Sequence, residues 1–341
     1  MDRMGFAEQL SQVGPAIETA LRQWALPSAE AIPNLDDGVR YALGLDVENA
    51  AQRGKRLRPA LAVLACEALG GERAQVMPFA VCVELMHNYF LVHDDIEDGD
   101  VKRHGRPAVW QKFGLAHGLN IGDYLYGRAT AVILKSLDAG VAPAVVLRLL
   151  HLIAETLDHT CRGQTLDMNA RDGADLSIQQ YLAMVTEKTG HYLAAPLVGG
   201  AIIAGAGDSV VETIRAYGDA VGPMYQIVDD LIDLTEDKGR GERGADIREG
   251  KRSFMVAVAM ARVGPAERTV LLEILDRPRD ATSARDVAGA IEILERCGAI
   301  EEARATIREF CRRAQASASG MPERLGLLLG GAADYLENRT R

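Results

Sequence analysis

The stretch APAVVLRLLHLIAETLDHTC, residues 142–161, carries apolar side chains at Val146, Leu149, Leu150, Ile153 and Leu157. Gaps of three and four residues place them on one face of an α-helix, which turns once in 3.6 residues. RPALAVLACEALG, residues 58–70, has the same rhythm, and it recurs in nearly every long segment. Strand-like alternation is almost absent, so the chain reads as all-α. Breaks fall at 25–37, 69–78, 99–107, 170–177, 237–253 and 276–286, where glycine, proline and short polar residues gather. None has the length and composition of an interdomain linker. Residues 1–341 are therefore expected to form a single domain, one large bundle of about ten helices.

Composition narrows the function. A net charge of -10 at pH 7 lacks the basic excess that nucleic acid would require, so no nucleic-acid partner is expected. Cys66, Cys82, Cys161, Cys297 and Cys311 form no metal-binding spacing and are odd in number. They read as free thiols in a reducing, cytoplasmic compartment. The opening MDRMGFAEQLSQVG has no apolar segment behind a basic one, so no secretion signal is expected. The uncharged run from Thr189 to Gly207 approaches membrane-spanning length but contains His191, Pro196 and five glycines. It reads as a tightly packed buried helix, with no stable membrane insertion.

LVHDDIEDGD, residues 91–100, crowds five carboxylates into seven positions after an apolar run, and QIVDDLID, residues 226–233, echoes it. Asp94 with Asp98, and Asp229 with Asp233, are four residues apart and share a helix face. Like charges so placed destabilise a helix unless a cation binds them. Ligands that are all oxygen select a hard ion, and magnesium prefers a few carboxylates completed by water and phosphate oxygens. Cations for such a site are at hand: Lys55 and Arg58 in RGKRLRP, Arg103 just past the first cluster, Lys188 in EKTG, and Lys251 in EGKRS. Arginine suits phosphate oxygens through its planar fork of donors.

The order GKRLRP, ELMHNYFLVHDDIEDGD, GDYL, GQTLD, EKTG, QIVDDLID, ADIREGKRS resembles the trans-isoprenyl diphosphate synthases of the polyprenyl synthetase family, short-chain members above all, over most of the chain. The resemblance implies the isoprenoid synthase fold, with the bundle built around a central cavity. It also implies that an allylic diphosphate ionises and is attacked by isopentenyl diphosphate. Asp94, Asp95, Asp98, Asp229, Asp230 and Asp233 would then serve Mg2+, with Mn2+ as a substitute, Asp95 and Asp230 in supporting positions. Arg103, His104, Lys188 and Lys251 would bind the allylic diphosphate, and Lys55, Arg58 and His87 the diphosphate of isopentenyl diphosphate. Thr189 and Gln226 would turn oxygens toward the carbocation, and Gln164 and Asp167 would support Lys188. Breaking the carbon–oxygen bond develops charge on the leaving diphosphate, which placed cations stabilise.

Two positions depart from the family pattern: His104 stands where a second arginine is usual, and Glu242, between Arg240 and Arg243, where a lysine is usual. Tyr89 and Phe90 lie about one turn before Asp94, where bulky residues resemble enzymes making C15 to C20 products. The loop 237–253 is expected to order over bound diphosphate. A homodimer is implied by the resemblance alone. Two other readings share these motifs. A class I terpene synthase would not need Lys55, Arg58 and His87, and a noncatalytic subunit would have lost one aspartate cluster.

Overall fold

The structure, a computed structural model, describes residues 5–26, 30–49, 53–171, 176–235 and 243–339. They fall into two compact units. The first comprises Met1–Ala154, Ala195–Ile214 and Met321–Leu328; the second comprises Glu155–Ala194, Arg215–Gly320 and Leu329–Arg341.

The first unit begins with α1 (Phe6–Trp24), α2 (Leu35–Ala42), α3 (Leu57–Ala68) and α4 (Arg73–Glu97). A ribbon of two-residue strands, β1 (Lys102–Arg103) and β2 (Arg106–Pro107), leads to α5 (Val109–Phe113), α6 (Leu115–Ile133) and the start of α7 (Pro143–Arg171). The core helix is α4: α3 and α6 pack on it, and α1 lies against α3 and α4. It is apolar and long enough to cross a membrane, yet 72% of its most apolar window is buried inside the protein, as in a soluble core. The break expected across 69–78 is shorter than its composition suggested, because α4 starts at Arg73 and carries Pro78 within it.

After α8 (Ile178–Val185) comes a five-residue π-helical turn, Thr186–Gly190, which runs directly into α9 (His191–Ile203). The glycine-rich run is buried as far as Ile202, where α9 is about to end, while Gly205 and Gly207 beyond it are exposed; the burial has a steric reason. A Cβ added to Gly200 would sit 2.3 Å from the carbonyl oxygen of Ala62, and one on Gly199 would sit 2.1 Å from the Phe79 ring. Only hydrogen fits at either position, so α9 can come up against α3 and α4.

The chain continues with α10 (Asp208–Thr235), α11 (Ala245–Arg248), α12 (Phe254–Arg262), α13 (Pro265–Leu275), α14 (Ala284–Arg296), α15 (Ala299–Ser319) and α16 (Glu323–Glu337), all in the second unit but for the starts of α10 and α16, which belong to the first. Within the second unit α12 packs on α8, α14 and α15, and Tyr217 donates a buried hydrogen bond to the carbonyl of Leu329. Ser177 and Ser283 cap α8 and α14 through reciprocal bonds with Gln180 and Asp286. The fold is all-α as the periodicity required. It is divided more finely than about ten helices, into sixteen among the described residues, of which α5 and α11 are single turns that periodicity cannot register.

Candidate active site

In the first unit, α4 ends beside its aspartates: Asp98 is the C-cap, and its N–H donates to the carbonyl of Asp94 at 2.8 Å. A helix C-terminus carries partial negative charge, so these carboxylates oppose the helix dipole as well as one another. Both penalties are relieved by a bound cation. Asp94 and Asp98 are half-buried, whereas Asp95 is 2% exposed and accepts from Arg103 Nε at 2.7 Å. Burial pushes the Asp95 carboxyl up to about 6, with Asp100 and Asp94 adding to the effect and Arg103 opposing it.

Arg103 owes its place to the ribbon. His104 and Gly105 form the two-residue turn, with φ of 52° and 73°, and Arg103 pairs with Arg106 across the strands. Hairpin turns of this type need a left-handed backbone, which histidine tolerates better than most side chains. Arg106, the other arginine of the ribbon, forks onto Asp46 and lies over the Tyr41 ring at 3.8 Å, so it does not stand in for the cation missing at His104.

Arg58 is buried and lies with Nη1 3.4 Å from His87 Nε2. A guanidinium can only donate, so the imidazole nitrogen accepts and the ring is neutral. Burial first, then the charges of Arg58, Arg103, His104 and Arg56, hold His87 well below the usual histidine range. Two of the cations read from the sequence, Arg58 and Arg103, thereby bear on one imidazole. Lys55 is exposed on the loop before α3. Between Lys55 and Arg58, Arg56 takes a left-handed backbone at the N-cap of α3. Its buried guanidinium donates to Glu18 at 2.7 Å, to Glu84 at 2.6 Å and to the Leu43 carbonyl at 2.6 Å. Arg56 is thus the anchor of the basic loop, a role that nothing in RGKRLRP distinguishes from its neighbours.

Tyr89 stacks obliquely on Phe90, His93 and Tyr126, with ring centroids 5.0, 4.7 and 5.4 Å away. The rings sit one turn below Asp94 and are locked by α6, which contributes Tyr126.

In the second unit, α10 carries Asp229, Asp230 and Asp233 in its last two turns. Asp230 is 1% exposed and accepts four donors: Tyr181 Oη at 2.7 Å, Gln226 Nε2 at 3.0 Å, Phe254 N at 3.2 Å and Lys251 Nζ at 3.3 Å. Four protein donors leave little of it for an ion. Asp229, by contrast, is half-buried and 3.4 Å from Arg339, while buried Asp233 accepts from the backbone of Asp246. Asp94 and Asp98 in the first unit, and Asp229 in the second, are half-buried carboxylates that could offer oxygens to a hard divalent cation of the kind magnesium is.

Lys251 reaches both Asp230 and Asp246 at 3.3 Å. Burial works against its charge, but Asp246, Asp230, Asp167 and Asp229 outweigh burial and hold the ammonium well above the usual lysine range. Lys188 donates to Asp167 Oδ2 at 2.6 Å. Asp167 is buried, which favours its neutral form, yet Lys188, Lys251 and Arg171 keep its carboxyl below the ordinary range. Gln164 lies buried one turn before it on α7. The Thr189 hydroxyl is 3.4 Å from Gln226 Oε1, and the bond from Gln226 Nε2 to Asp230 fixes which end of the amide meets Thr189. Tyr181 and Asp246 went unread in the sequence; Asp246 sits inside ADIREGKRS, which was read only for Lys251. Arg240, Glu242 and the rest of 237–242 in the expected covering loop lie outside the described residues.

Comparison with known proteins agrees with this chemistry. The polyprenyl synthetase family matches residues 46–294. A geranylgeranyl diphosphate synthase of Methanosarcina mazei is 37% identical over 250 residues, covering 73% of this chain and 74% of its own. A (2E,6E)-farnesyl diphosphate synthase of Mycobacterium bovis is 33% identical over 321 residues, 90% of this chain and 87% of its own. A crystal structure of a polyprenyl synthase from Caulobacter crescentus, complexed with calcium and isoprenyl diphosphate, superposes with a TM-score of 0.85 at 25% identity, covering 99% of each chain. The chain belongs to the polyprenyl synthetase family.

Proposed function

We propose that this protein is a short-chain trans-isoprenyl diphosphate synthase that joins isopentenyl diphosphate head-to-tail to an allylic diphosphate, giving an all-trans C15 to C20 prenyl diphosphate. The observation that carries it is that each unit holds a helix-terminal aspartate cluster backed by its own cation: Arg103 on Asp95 in the first and Lys251 on Asp230 in the second. A lone acidic helix end needs no such partner; a site that takes up and releases metal-bound diphosphate does.

Magnesium ions, for which Asp94 and Asp98 in the first unit and Asp229 in the second are the fitting ligands, would neutralise charge on the departing diphosphate. Asp95 and Asp230 act through other residues, aiming Arg103 and Lys251. Arg103 and His104 from the first unit, and Lys188 and Lys251 from the second, bind the allylic diphosphate. Arg58, neutral His87 and exposed Lys55 receive the diphosphate of isopentenyl diphosphate. The Thr189 hydroxyl and the Gln226 amide oxygen supply partial negative charge for the allylic cation, and a phosphate oxygen of the leaving group is the fitting acceptor for the proton lost.

The protein is further proposed to be cytoplasmic, consistent with its five free cysteines. A homodimer is also proposed, through the α6 face that exposes Leu115 and Leu119. The test is incubation with isopentenyl diphosphate and dimethylallyl, geranyl or farnesyl diphosphate, with and without magnesium, followed by mass analysis of the dephosphorylated products. C15 or C20 alcohols formed only with magnesium and isopentenyl diphosphate are expected. Hydrocarbons formed without isopentenyl diphosphate would instead define a terpene synthase.

A further inference from the structure

A second constellation of ligand atoms lies on the flank of the second unit, built from three segments. His159 comes from α7, Glu187 from the π-helical turn and His191 from the first residue of α9. One ligand atom of each lies within 4.8 Å of those of the other two, and all three side chains are half-buried. His159 Nδ1 is 2.8 Å from Glu187 Oε2, and the two imidazoles are stacked with centroids 3.7 Å apart.

The backbone beneath them is tightly set. His159, Gly163 and Asp167 lie four residues apart on one face of α7, and each meets the π-helical turn. His159 touches Glu187 and Asp167 binds Lys188. Between them, a Cβ on Gly163 would lie 2.3 Å from the Lys188 backbone nitrogen. Glycine is what allows this approach, and it brings the imidazole and the carboxylate within reach of each other. Glu187 and His191, four residues apart in sequence, both face α7, where His159 meets each of them. π-Helical turns mark functional positions more often than ordinary helix does.

We infer that His159, Glu187 and His191 form a site for a borderline divalent transition ion, zinc above all, separate from the aspartate clusters. Two imidazoles and one carboxylate suit zinc with a water in the fourth position. Magnesium and calcium prefer oxygen alone, so the two kinds of site select different ions. Imidazole planes only 17° apart cannot aim lone pairs at one point. Binding therefore exchanges the stack for coordination, one ring turning about its Cβ–Cγ bond. Zinc bonds of roughly 2.0–2.1 Å place tetrahedral donors about 3.3 Å apart, a short movement for half-buried side chains. Arg215, whose charge reaches His191, is held at 3.4 Å by Glu155, and Asp219 offsets it from the same helix. A bound ion would staple α7 to the turn that carries Lys188 and Thr189.

Cobalt(II) is the probe, because four-coordinate cobalt absorbs far more strongly in the visible than six-coordinate cobalt. The full chain, stripped by a chelator and then saturated with magnesium to occupy the aspartates, is titrated with cobalt and then with zinc. One equivalent with an intense visible spectrum, bleached by zinc, is expected. His191→Asn and His159→Gln should each weaken binding on the order of 100-fold, and Glu187→Gln should do so without altering side-chain size. A weak six-coordinate spectrum, or titrations identical in wild type and all three variants, would overturn the site.

Discussion

The ammonium of Lys188 and the carboxylate of Asp167 are 2.6 Å apart, and the aspartate is 1% exposed. Lys188 is thus held at a fixed height over α7 before any diphosphate arrives, and Asp167 is a positioning residue. In Asp167→Asn the lysine keeps its charge and loses its aim. We expect a 10- to 100-fold loss in kcat/KM, with KM for the allylic substrate rising. Stability should fall by about 2 kcal/mol, less than the roughly 3–5 kcal/mol of a fully buried pair because Lys188 is partly solvated. Steady-state kinetics beside urea unfolding would separate the two effects.

Arg56 should prove to be structural. Removing its guanidinium leaves Glu84 buried without its partner and frees the loop that presents Lys55. Arg56→Met is expected to cost about 3–5 kcal/mol, whereas Lys55→Met should leave stability within about 0.5 kcal/mol and act on KM for isopentenyl diphosphate. An Arg56→Met midpoint equal to wild type in denaturant titration would remove Arg56 from this role.

The Asp95 carboxyl is raised by burial to about 6. A raised acid binds its proton more tightly folded than unfolded, so it favours folding at low pH. That contribution is lost as pH climbs from the unfolded value through about 6. In metal-free protein, stability should therefore decline across roughly pH 4 to 6, by on the order of 3 kcal/mol from this group. Asp95→Asn should flatten that part of the curve. Arg103→Gln, which removes the opposing cation, should extend the decline to higher pH, and chemical unfolding in steps of pH would show it.

Tyr89 is braced by Tyr126 while Phe90 leans on Tyr89. A prenyl chain growing down from Asp94 meets these rings within one turn. Tyr89→Ala with Phe90→Ala should lengthen the main product by at least one isoprene unit, and Tyr126→Ala should do so in part by releasing Tyr89. Chromatography of the dephosphorylated products reads the length directly, and an unchanged distribution would dismiss the aromatic floor.

What was legible in the sequence was local. Spacing alone exposes the helices, because burial on one face imposes three- and four-residue gaps, and the aspartate pairs are visible because their spacing is itself the site. Relations between distant segments were hidden. Arg56 is indistinguishable from Lys55 until Glu18 and Glu84 are brought to it from α1 and α4. Tyr181 looks like any helix aromatic until it meets Asp230, 49 residues on. The glycines of 189–207 hinted at close packing, but only the neighbours show that Gly200 faces a carbonyl and Gly199 a ring.

The five-residue turn at Thr186–Gly190 holds one residue more than an α-helical turn needs. Deleting a single residue there would let α8 and α9 merge into one continuous helix while swinging every side chain beyond it by roughly 100°. The chain would remain as helical as before by circular dichroism, yet Thr189 would turn away from Gln226 and the glycines of α9 from the surfaces they fit. The enzyme's register is therefore carried by a surplus residue, and an insertion that looks like an imperfection in the helix is what keeps its two ends in phase.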